Sequence, residues 1–136
     1  MKILKISFLF AFAFLLNSCS IDDEPTSVPS LYGTWNLVQV SNIEAETSQT
    51  FPRGTIVWGF DLETIMVNNN NTDSNLQDGF SSGTYNYTFD ANPTENTPCI
   101  KTISFSEANV NCIDFDRNTL VITQTEAGGL SYYFVR

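Results

Sequence analysis

Residues 83–90 read GTYNYTFD, and this stretch decides the fold class. Its aromatic side chains occupy alternate positions, at Tyr85, Tyr87 and Phe89, and polar side chains fill most of the positions between them. Successive side chains of a β-strand point to opposite faces, so this alternation predicts a strand with one apolar face. A second stretch, residues 54–62, alternates through Ile56, Trp58, Phe60 and Leu62. The chain therefore predicts an antiparallel sheet with one dry face and one wet face.

Short strands of this kind recur along the chain and predict an all-β domain. Eight segments carry a strand pattern: 33–40, 54–62, 64–68, 83–90, 99–105, 110–115, 119–125 and 130–136. Turn signals separate them, notably 116–118, 127–129 and a long loop over 68–82. Residues 41–46 are the best helical candidate, with a loop as the alternative. We predict a small antiparallel eight-stranded β-barrel, and an immunoglobulin-like β-sandwich of two separate sheets is the alternative.

The first 18 residues have the composition of a secretory signal peptide. Lys2 and Lys5 supply positive charge, and residues 6–16 form an apolar stretch far shorter than the ~20 residues of a membrane-spanning helix. The stretch ends in Leu16-Asn17-Ser18-Cys19, which resembles the bacterial lipobox that directs cleavage and lipidation. We therefore expect residues 1–18 to be a lipoprotein signal peptide. The resemblance implies that acyl chains such as palmitate on Cys19 anchor the protein to a bacterial membrane.

The segment after Cys19 has the composition of a flexible tether. Residues 19–30 contain two Pro, several Ser and three acids, and little that could pack. We expect this lipidated tether to lead into a single folded domain over residues 31–136. The acidic run 22–24 looks like an export signal for the outer face of the outer membrane, and a plain solvated linker is the alternative. The predicted location is the outer membrane, lipid-anchored, with the domain facing the periplasm or the cell surface.

Composition excludes several functional classes. The chain has no His, 6 Lys and Arg, 15 Asp and Glu, and a net charge of −9. Without His, a Ser-His-Asp triad, a Cys-His pair and a His-ligated zinc site are impossible. Two of the basic residues lie in the signal peptide, so the mature chain would carry four basic residues and a net charge of −11. Such a charge argues against a nucleic-acid partner.

Carboxylates in pairs are the remaining candidates for catalysis or metal binding. Asp114 and Asp116 share a strand face, as do Asp61 and Glu63, and paired carboxylates serve glycoside hydrolysis when they flank a cleft. Residues 68–73 offer oxygen ligands for calcium but lack the spacing of an EF-hand. Solvated strand ends and turns are the simpler interpretation. We expect no enzymatic activity, no cofactor and no metal.

The start of the domain carries a recognisable motif. Residues 31–37 read LYGTWNL, and Gly33-Thr34-Trp35 resembles the Gly-x-Trp signature of lipocalins and related calycin barrels. The resemblance implies that Trp35 closes one end of the barrel and that an Arg ending the last strand, here Arg136, lies across the Trp ring. A guanidinium over an indole contributes ~0.5–2 kcal/mol. The domain is shorter than a typical lipocalin, and the later motifs of that family are not recognisable. The chain thus resembles a bacterial lipocalin-like lipoprotein.

Two cysteines lie inside the predicted domain. Cys99 and Cys112 are an even number in an exported domain, where disulfides persist, so we predict that they form one. A hairpin register with these two residues opposite each other would pair Lys101 with Val110 and Ile103 with Ala108. A redox or metal-binding dithiol is the alternative, but the pair lacks CxxC spacing and a His partner.

Aromatic residues on the strands suggest the function. Seven are expected to point into the barrel as candidate ligand-lining residues: Trp58, Phe60, Tyr85, Tyr87, Phe89, Tyr132 and Phe134. If they leave space, the barrel holds a small hydrophobic ligand with Tyr hydroxyls as polar contacts. If they fill the interior, the protein is a tethered protein-interaction or inhibitor module that uses its acidic loops. We predict ligand binding, with a protein partner as the alternative.

Overall fold

The computed structural model describes residues 29–94, 97–106 and 109–136. These residues form ten β-strands, all paired antiparallel. The strands are β1 (Gly33–Asn42), β2 (Thr47–Thr50), β3 (Ile56–Phe60), β4 (Thr64–Asn69), β5 (Gly83–Asn86), β6 (Thr88–Asp90), β7 (Thr102–Ser104), β8 (Val110–Phe115), β9 (Thr119–Gln124) and β10 (Leu130–Val135). Within these residues no helix is long and apolar enough to cross a bilayer.

One sheet contains all ten strands and is nearly closed into a barrel. The order is β5-β4-β3-β1-β10-β9-β8-β7-β6, and β2 pairs with β1 beside this path. The two terminal strands, β5 and β6, are separated in sequence only by Tyr87. One short stretch of chain therefore pairs with β4 at one sheet edge and with β7 at the other, which brings the two edges together.

The predicted fold class is confirmed, although the strands number ten rather than eight. One extra strand arises because residues 83–90 divide at Tyr87, whose amide donates to the Glu63 carbonyl outside the strand ladder. The other is β2, whose sequence Thr-Ser-Gln-Thr has no apolar alternation. A single continuous sheet replaces the two separate sheets that the sandwich alternative required.

The helical candidate at 41–46 is a hairpin turn. β1 continues to Asn42, and β2 returns from Thr47 beside it. The Asn42 side-chain oxygen accepts the Ala45 amide at 2.9 Å, and Glu46 has a φ of 52°. A local side-chain acceptor and a left-handed residue are features of a tight turn, so the helical interpretation is wrong.

The barrel interior is built from cross-strand pairs of apolar side chains. Trp35 lies opposite Trp58, and Leu37 lies opposite Phe134. All four side chains are at most 2 % exposed. A bulge between Leu37 and Gln39 shifts the alternation of β1 by one residue, so that Val40 also faces inward. The alternation read in the sequence therefore corresponds to a continuous buried core.

The disulfide between Cys99 and Cys112 is present, with a Cα–Cα distance of 5.1 Å. The register predicted around it is wrong, because Cys112 lies opposite Thr102 and Ile103 lies opposite Asn111. The observed register puts Ile103 and Ile113 on the same inward face, where they are 0 % and 3 % exposed. The predicted register would have turned one of them outward. Cys99 reaches its partner from the segment that precedes β7.

Trp35 and Arg136 lie at one end of the barrel, which we call the closed end. The Trp35 indole nitrogen donates to the Leu31 carbonyl at 2.8 Å. The Arg136 guanidinium lies over the Trp35 ring, 4.3 Å from its centroid, and donates to the carbonyls of Ser30 and Tyr32. The last residue of the chain thus holds the entry of the domain against the core.

Candidate functional site

A cavity of about 380 Å³ lies at the opposite end of the barrel, which we call the mouth. The β7–β8 and β9–β10 connections lie at this end, together with the loop of residues 70–82 between β4 and β5. Its lining side chains are both apolar and polar: Trp58, Phe80, Phe105, Ser106, Asn109, Val110, Asn111, Ile122, Gln124, Thr125, Glu126 and Tyr132, with Gly79. Ligand pockets commonly occupy ~300–1,000 Å³, so the mouth cavity has room for one small molecule.

Trp58 links the cavity to the barrel core. Its ring centroid lies 5.3 Å from Phe80, 5.8 Å from Phe105 and 4.8 Å from Phe134. Its indole nitrogen is the one buried side-chain nitrogen or oxygen without a hydrogen-bond partner in the described part of the chain. Buried Trp N–H groups usually have an acceptor, so the unpaired donor at this cavity requires an explanation.

The loop of residues 70–82, which we call the covering loop, folds over Trp58. Phe80 stacks on Tyr85 with centroids 4.6 Å apart. Gly79 has a φ of +81°, and a Cβ there would lie 3.4 Å from ring carbons of both Trp58 and Tyr132. Glycine therefore suits this position twice, because it accepts the left-handed backbone and leaves room for the two rings.

Hydrogen bonds hold the covering loop in place. The Asn69 side-chain amide donates to the Phe80 carbonyl at 3.0 Å, and the Asn71 side chain donates to the Asp78 carboxylate at 2.8 Å. The Gln77 amide donates to the Gln49 side chain on β2 at 2.7 Å. The Asn-rich segment that the sequence predicts as a long loop is thus a hydrogen-bonded cover over the mouth.

Polar side chains form the wall of the cavity opposite the covering loop. Asn111 and Gln124 face each other across β8 and β9. The Asn111 side chain is 8 % exposed and donates to the Ile103 and Asn109 carbonyls, each at 3.3 Å. The Gln124 side-chain oxygen accepts a hydrogen bond from the Leu130 backbone amide at 2.9 Å. The cavity therefore combines an aromatic side with an amide-bearing side.

The mouth is acidic. Glu126 is the only charged residue that lines the cavity among the described residues. Burial raises the pKa of the Tyr132 phenol, and the negative charge of Asp78 raises it further. Two described basic side chains pack on rings elsewhere, Lys101 over Phe115 at 4.6 Å and Arg136 over Trp35. The other two, at positions 53 and 117, lie in the β2–β3 connection and in the β8–β9 turn.

The seven aromatic residues predicted as ligand-lining do not all reach the cavity. Trp58 and Tyr132 line it, whereas Phe60 and Phe134 lie in the core and are 4 % and 1 % exposed. Tyr85 supports the cavity indirectly by stacking on Phe80. Tyr87 is buried, and its hydroxyl donates to the Asp61 carbonyl beside the β3–β4 turn.

Phe89, the seventh predicted residue, does not line the mouth cavity. Its side chain is 39 % exposed and lies near Phe115, with ring centroids 6.0 Å apart. Phe89 does lie opposite the buried Ile103 in the β6–β7 register. It borders a shallow depression at the closed end, beside Tyr32 and Leu62.

Sequence reasoning missed several residues of the cavity. Phe80 lies in a segment dominated by Asn, Asp and Ser, and its role depends on how the covering loop folds. Asn111 could have been predicted from the sequence, because it shares the alternation of Ile113 and Phe115 along β8. An inward position occupied by Asn at the end of a strand is a signal for a polar group at a barrel mouth.

One member of each carboxylate pair considered for catalysis serves as a turn acceptor. Asp116 accepts the Asn118 amide at 2.7 Å and the Thr119 amide at 2.8 Å, and these bonds lower its pKa. Asp61 accepts the Leu62 amide at 2.8 Å. In the part of the chain that the structure describes, no group of three or more Cys, His, Asp or Glu is placed to hold a metal ion.

Comparison with protein-family models, curated proteins and solved structures finds no match for this chain. The fold and its cavity define the protein as a small antiparallel β-barrel with a covered mouth cavity. The lipocalin resemblance and the lipid anchor at Cys19 stay predictions, and Cys19 lies outside the described residues.

Proposed function

We propose that this protein is a membrane-anchored, lipocalin-like lipoprotein that binds a small hydrophobic ligand at the mouth of its barrel. The observation that supports it best is the mouth cavity of about 380 Å³, with Trp58, Phe80, Phe105 and Tyr132 in its lining. Mostly apolar pockets with a few placed polar groups are typical of small-molecule sites. The core beneath Trp58 is filled, so the ligand occupies the mouth and not the length of the barrel.

The position of the tether supports an accessible mouth. Residues 29–31 lie at the closed end, where Arg136 contacts the Ser30 carbonyl. A lipid on Cys19 would join the chain through this end, and the 11 residues of 20–30 would reach at most ~40 Å. The anchor would then join the domain at the end opposite the mouth, which leaves the mouth accessible to a ligand from the periplasm or the surrounding medium.

The proposal includes no catalysis, cofactor or metal. The chain contains no His, and one acid of each pair that could have served a hydrolase accepts a turn amide. The expected chemistry of the mouth cavity is reversible binding.

Ligand binding can be tested with the neutral fluorescent probe N-phenyl-naphthylamine. Titration into the purified protein is expected to raise probe emission and to quench tryptophan fluorescence, because Trp58 lines the cavity. Val110 also lines the cavity and is 42 % exposed, so Val110→Phe should block the site without disturbing the core. Met66→Phe is the matched control, since Met66 is 67 % exposed on β4 and does not line the cavity. Equal probe binding by the two variants would contradict the proposed site.

A tethered protein-interaction or inhibitor module is the second candidate, and the filled core favours it. The chain also has a net charge of −9, and acidic side chains flank the mouth. This candidate predicts capture of a basic protein partner at low salt, lost as screening increases, with Val110→Phe leaving capture unchanged. Probe binding that Val110→Phe abolishes, together with no salt-sensitive capture, would exclude it.

A further inference from the structure

Trp58 lines the mouth cavity and carries an indole N–H that the described protein does not use. The side chain is 2 % exposed, and its nitrogen has no hydrogen-bond partner. The other tryptophan, Trp35, donates its N–H to the Leu31 carbonyl at 2.8 Å. Of the two buried indoles, the one that lines the cavity is the one whose N–H is unpaired.

The charges around the cavity restrict what could accept this hydrogen bond. Glu126 lines the cavity, and Asp78 lies close enough to raise the pKa of Tyr132. Lys101 and Arg136 pack on rings of the closed end, and neither lines the cavity. A carboxylate ligand would lose its hydration without gaining a cationic partner, and it would lie near two like charges.

We propose that the mouth cavity selects an uncharged ligand that has a ring-sized apolar body and one neutral oxygen acceptor, such as an amide, ketone or ester carbonyl. This inference rests on the proposed function and specifies its ligand class. The apolar body occupies the space beside Phe105 and Tyr132, and the neutral oxygen accepts the Trp58 N–H. An anionic fatty acid is excluded as the preferred ligand.

Entry to the donor requires movement of the covering loop. Phe80 packs on Trp58 with centroids 5.3 Å apart, and the Gly79 backbone lies against the rings of Trp58 and Tyr132. The Trp58 nitrogen has less than 1 Å² of accessible surface, so a ligand oxygen reaches it only when a neighbouring group moves, and on this proposal that group is Phe80. The ligand ring then takes a position against the same aromatic surface that Phe80 covers.

A matched series of phenylpropyl compounds tests the ligand class. Hydrocinnamamide, hydrocinnamate, phenylpropylammonium and propylbenzene share one ring and differ in the terminal group. The affinity of each is to be measured by its displacement of N-phenyl-naphthylamine from the protein at neutral pH. We expect the amide to bind at least tenfold more tightly than the carboxylate, and more tightly than the ammonium or the hydrocarbon. A carboxylate or ammonium that binds as tightly as the amide would overturn the inference.

Variants assign the preference to its residues. Trp58→Phe keeps a ring but removes the donor, so amide affinity should fall roughly two- to tenfold while propylbenzene affinity stays unchanged. Trp35→Phe is the control, because its N–H is already bonded, and the amide preference should survive it. Glu126 is exposed, and Glu126→Gln removes its charge, so this variant should narrow the preference for amide over carboxylate. An unchanged preference in both Trp58→Phe and Glu126→Gln would refute the assignment.

The outcomes separate this inference from the function on which it rests. If the fluorescent probe binds at the mouth but the amide has no advantage over propylbenzene, the ligand class is wrong and ligand binding stands. If neither the probe nor any member of the series binds, the proposed function fails and the inference fails with it.

Discussion

Loss of the Cys99–Cys112 disulfide should weaken both the fold and the mouth cavity. The two cysteines are 13 positions apart, and a loop of that size contributes ~3 kcal/mol by the chain-entropy relation. Unfolding entropies near 2.1 cal/mol/K per residue convert that loss into a Tm decrease of about 14 °C for a domain of roughly 100 residues. The disulfide also encloses five residues of the cavity lining: Phe105, Ser106, Asn109, Val110 and Asn111. Probe affinity should therefore fall along with stability.

The assay compares the Tm by circular dichroism before and after reduction with dithiothreitol. A Cys99→Ser, Cys112→Ser double variant should match the reduced protein and should show no further change on reduction. Probe titration at a temperature well below both transitions measures the effect on the cavity separately. A Tm decrease below about 4 °C, equivalent to ~1 kcal/mol, would refute the reasoning about loop closure. Unchanged probe affinity in the reduced folded protein would refute the role in the cavity wall.

Three further predictions address other contacts. Arg136→Ala should lower the free energy of unfolding, measured by urea denaturation, by about 1–2 kcal/mol, because it removes a cation–π contact and two hydrogen bonds to carbonyls. Arg117→Ala in the β8–β9 turn is the control, and an equal effect of the two variants would contradict the prediction. Gly79→Ala should lower the free energy of unfolding by about 1–2 kcal/mol and weaken probe binding, because the φ of Gly79 is +81°. Gly83→Ala is the control and should lower the free energy of unfolding by less, because a Cβ there meets ordinary contacts at 3.6 Å. Burial raises the pKa of Tyr132 above its unfolded value, so the contribution of the neutral phenol to stability is complete below pH ~10 and is lost as the pH rises through the folded pKa. Tyr132→Phe should therefore reduce the decline in Tm at alkaline pH. An unchanged decline in this variant would contradict the prediction.

The strands were predictable because alternation is a local signal. Gly83–Asn86 and Thr88–Asp90 lie inside a stretch whose aromatic residues alternate without interruption. The division at Tyr87 was not predictable, because it results from an amide that bonds to the Glu63 carbonyl, 24 positions away. β2 was missed for a different reason: four polar residues pair with β1 through backbone groups, which leave no pattern in the side chains.

The candidate site was less predictable than the fold. Trp58 and Tyr132 were identified from alternation, and both line the mouth cavity. Alternation says which face a side chain occupies but not its height along the barrel, so it could not separate Tyr132 at the mouth from Phe89 at the closed end. Phe80 belongs to a loop, whose position depends on the hydrogen bonds of Asn69, Asn71 and Gln77. Such contacts join residues through tertiary structure, and no periodic pattern encodes them.

The two ends of the barrel divide stability and binding between them. At the closed end, Trp35 uses its N–H, Arg136 covers the ring, and the domain entry is held by carbonyl hydrogen bonds. At the mouth, the Trp58 N–H is unpaired. Gly79 lies beside the Trp58 ring, in the covering loop that side-chain hydrogen bonds hold in place. A buried donor without an acceptor lowers the stability of the fold. In this core the Trp35 N–H has an acceptor and the Trp58 N–H does not. The loss of stability therefore lies at the mouth, where a bound ligand can offset it. On the proposed anchoring, the lipid joins at the closed end, and the end with the unpaired donor is left to exchange an uncharged ligand.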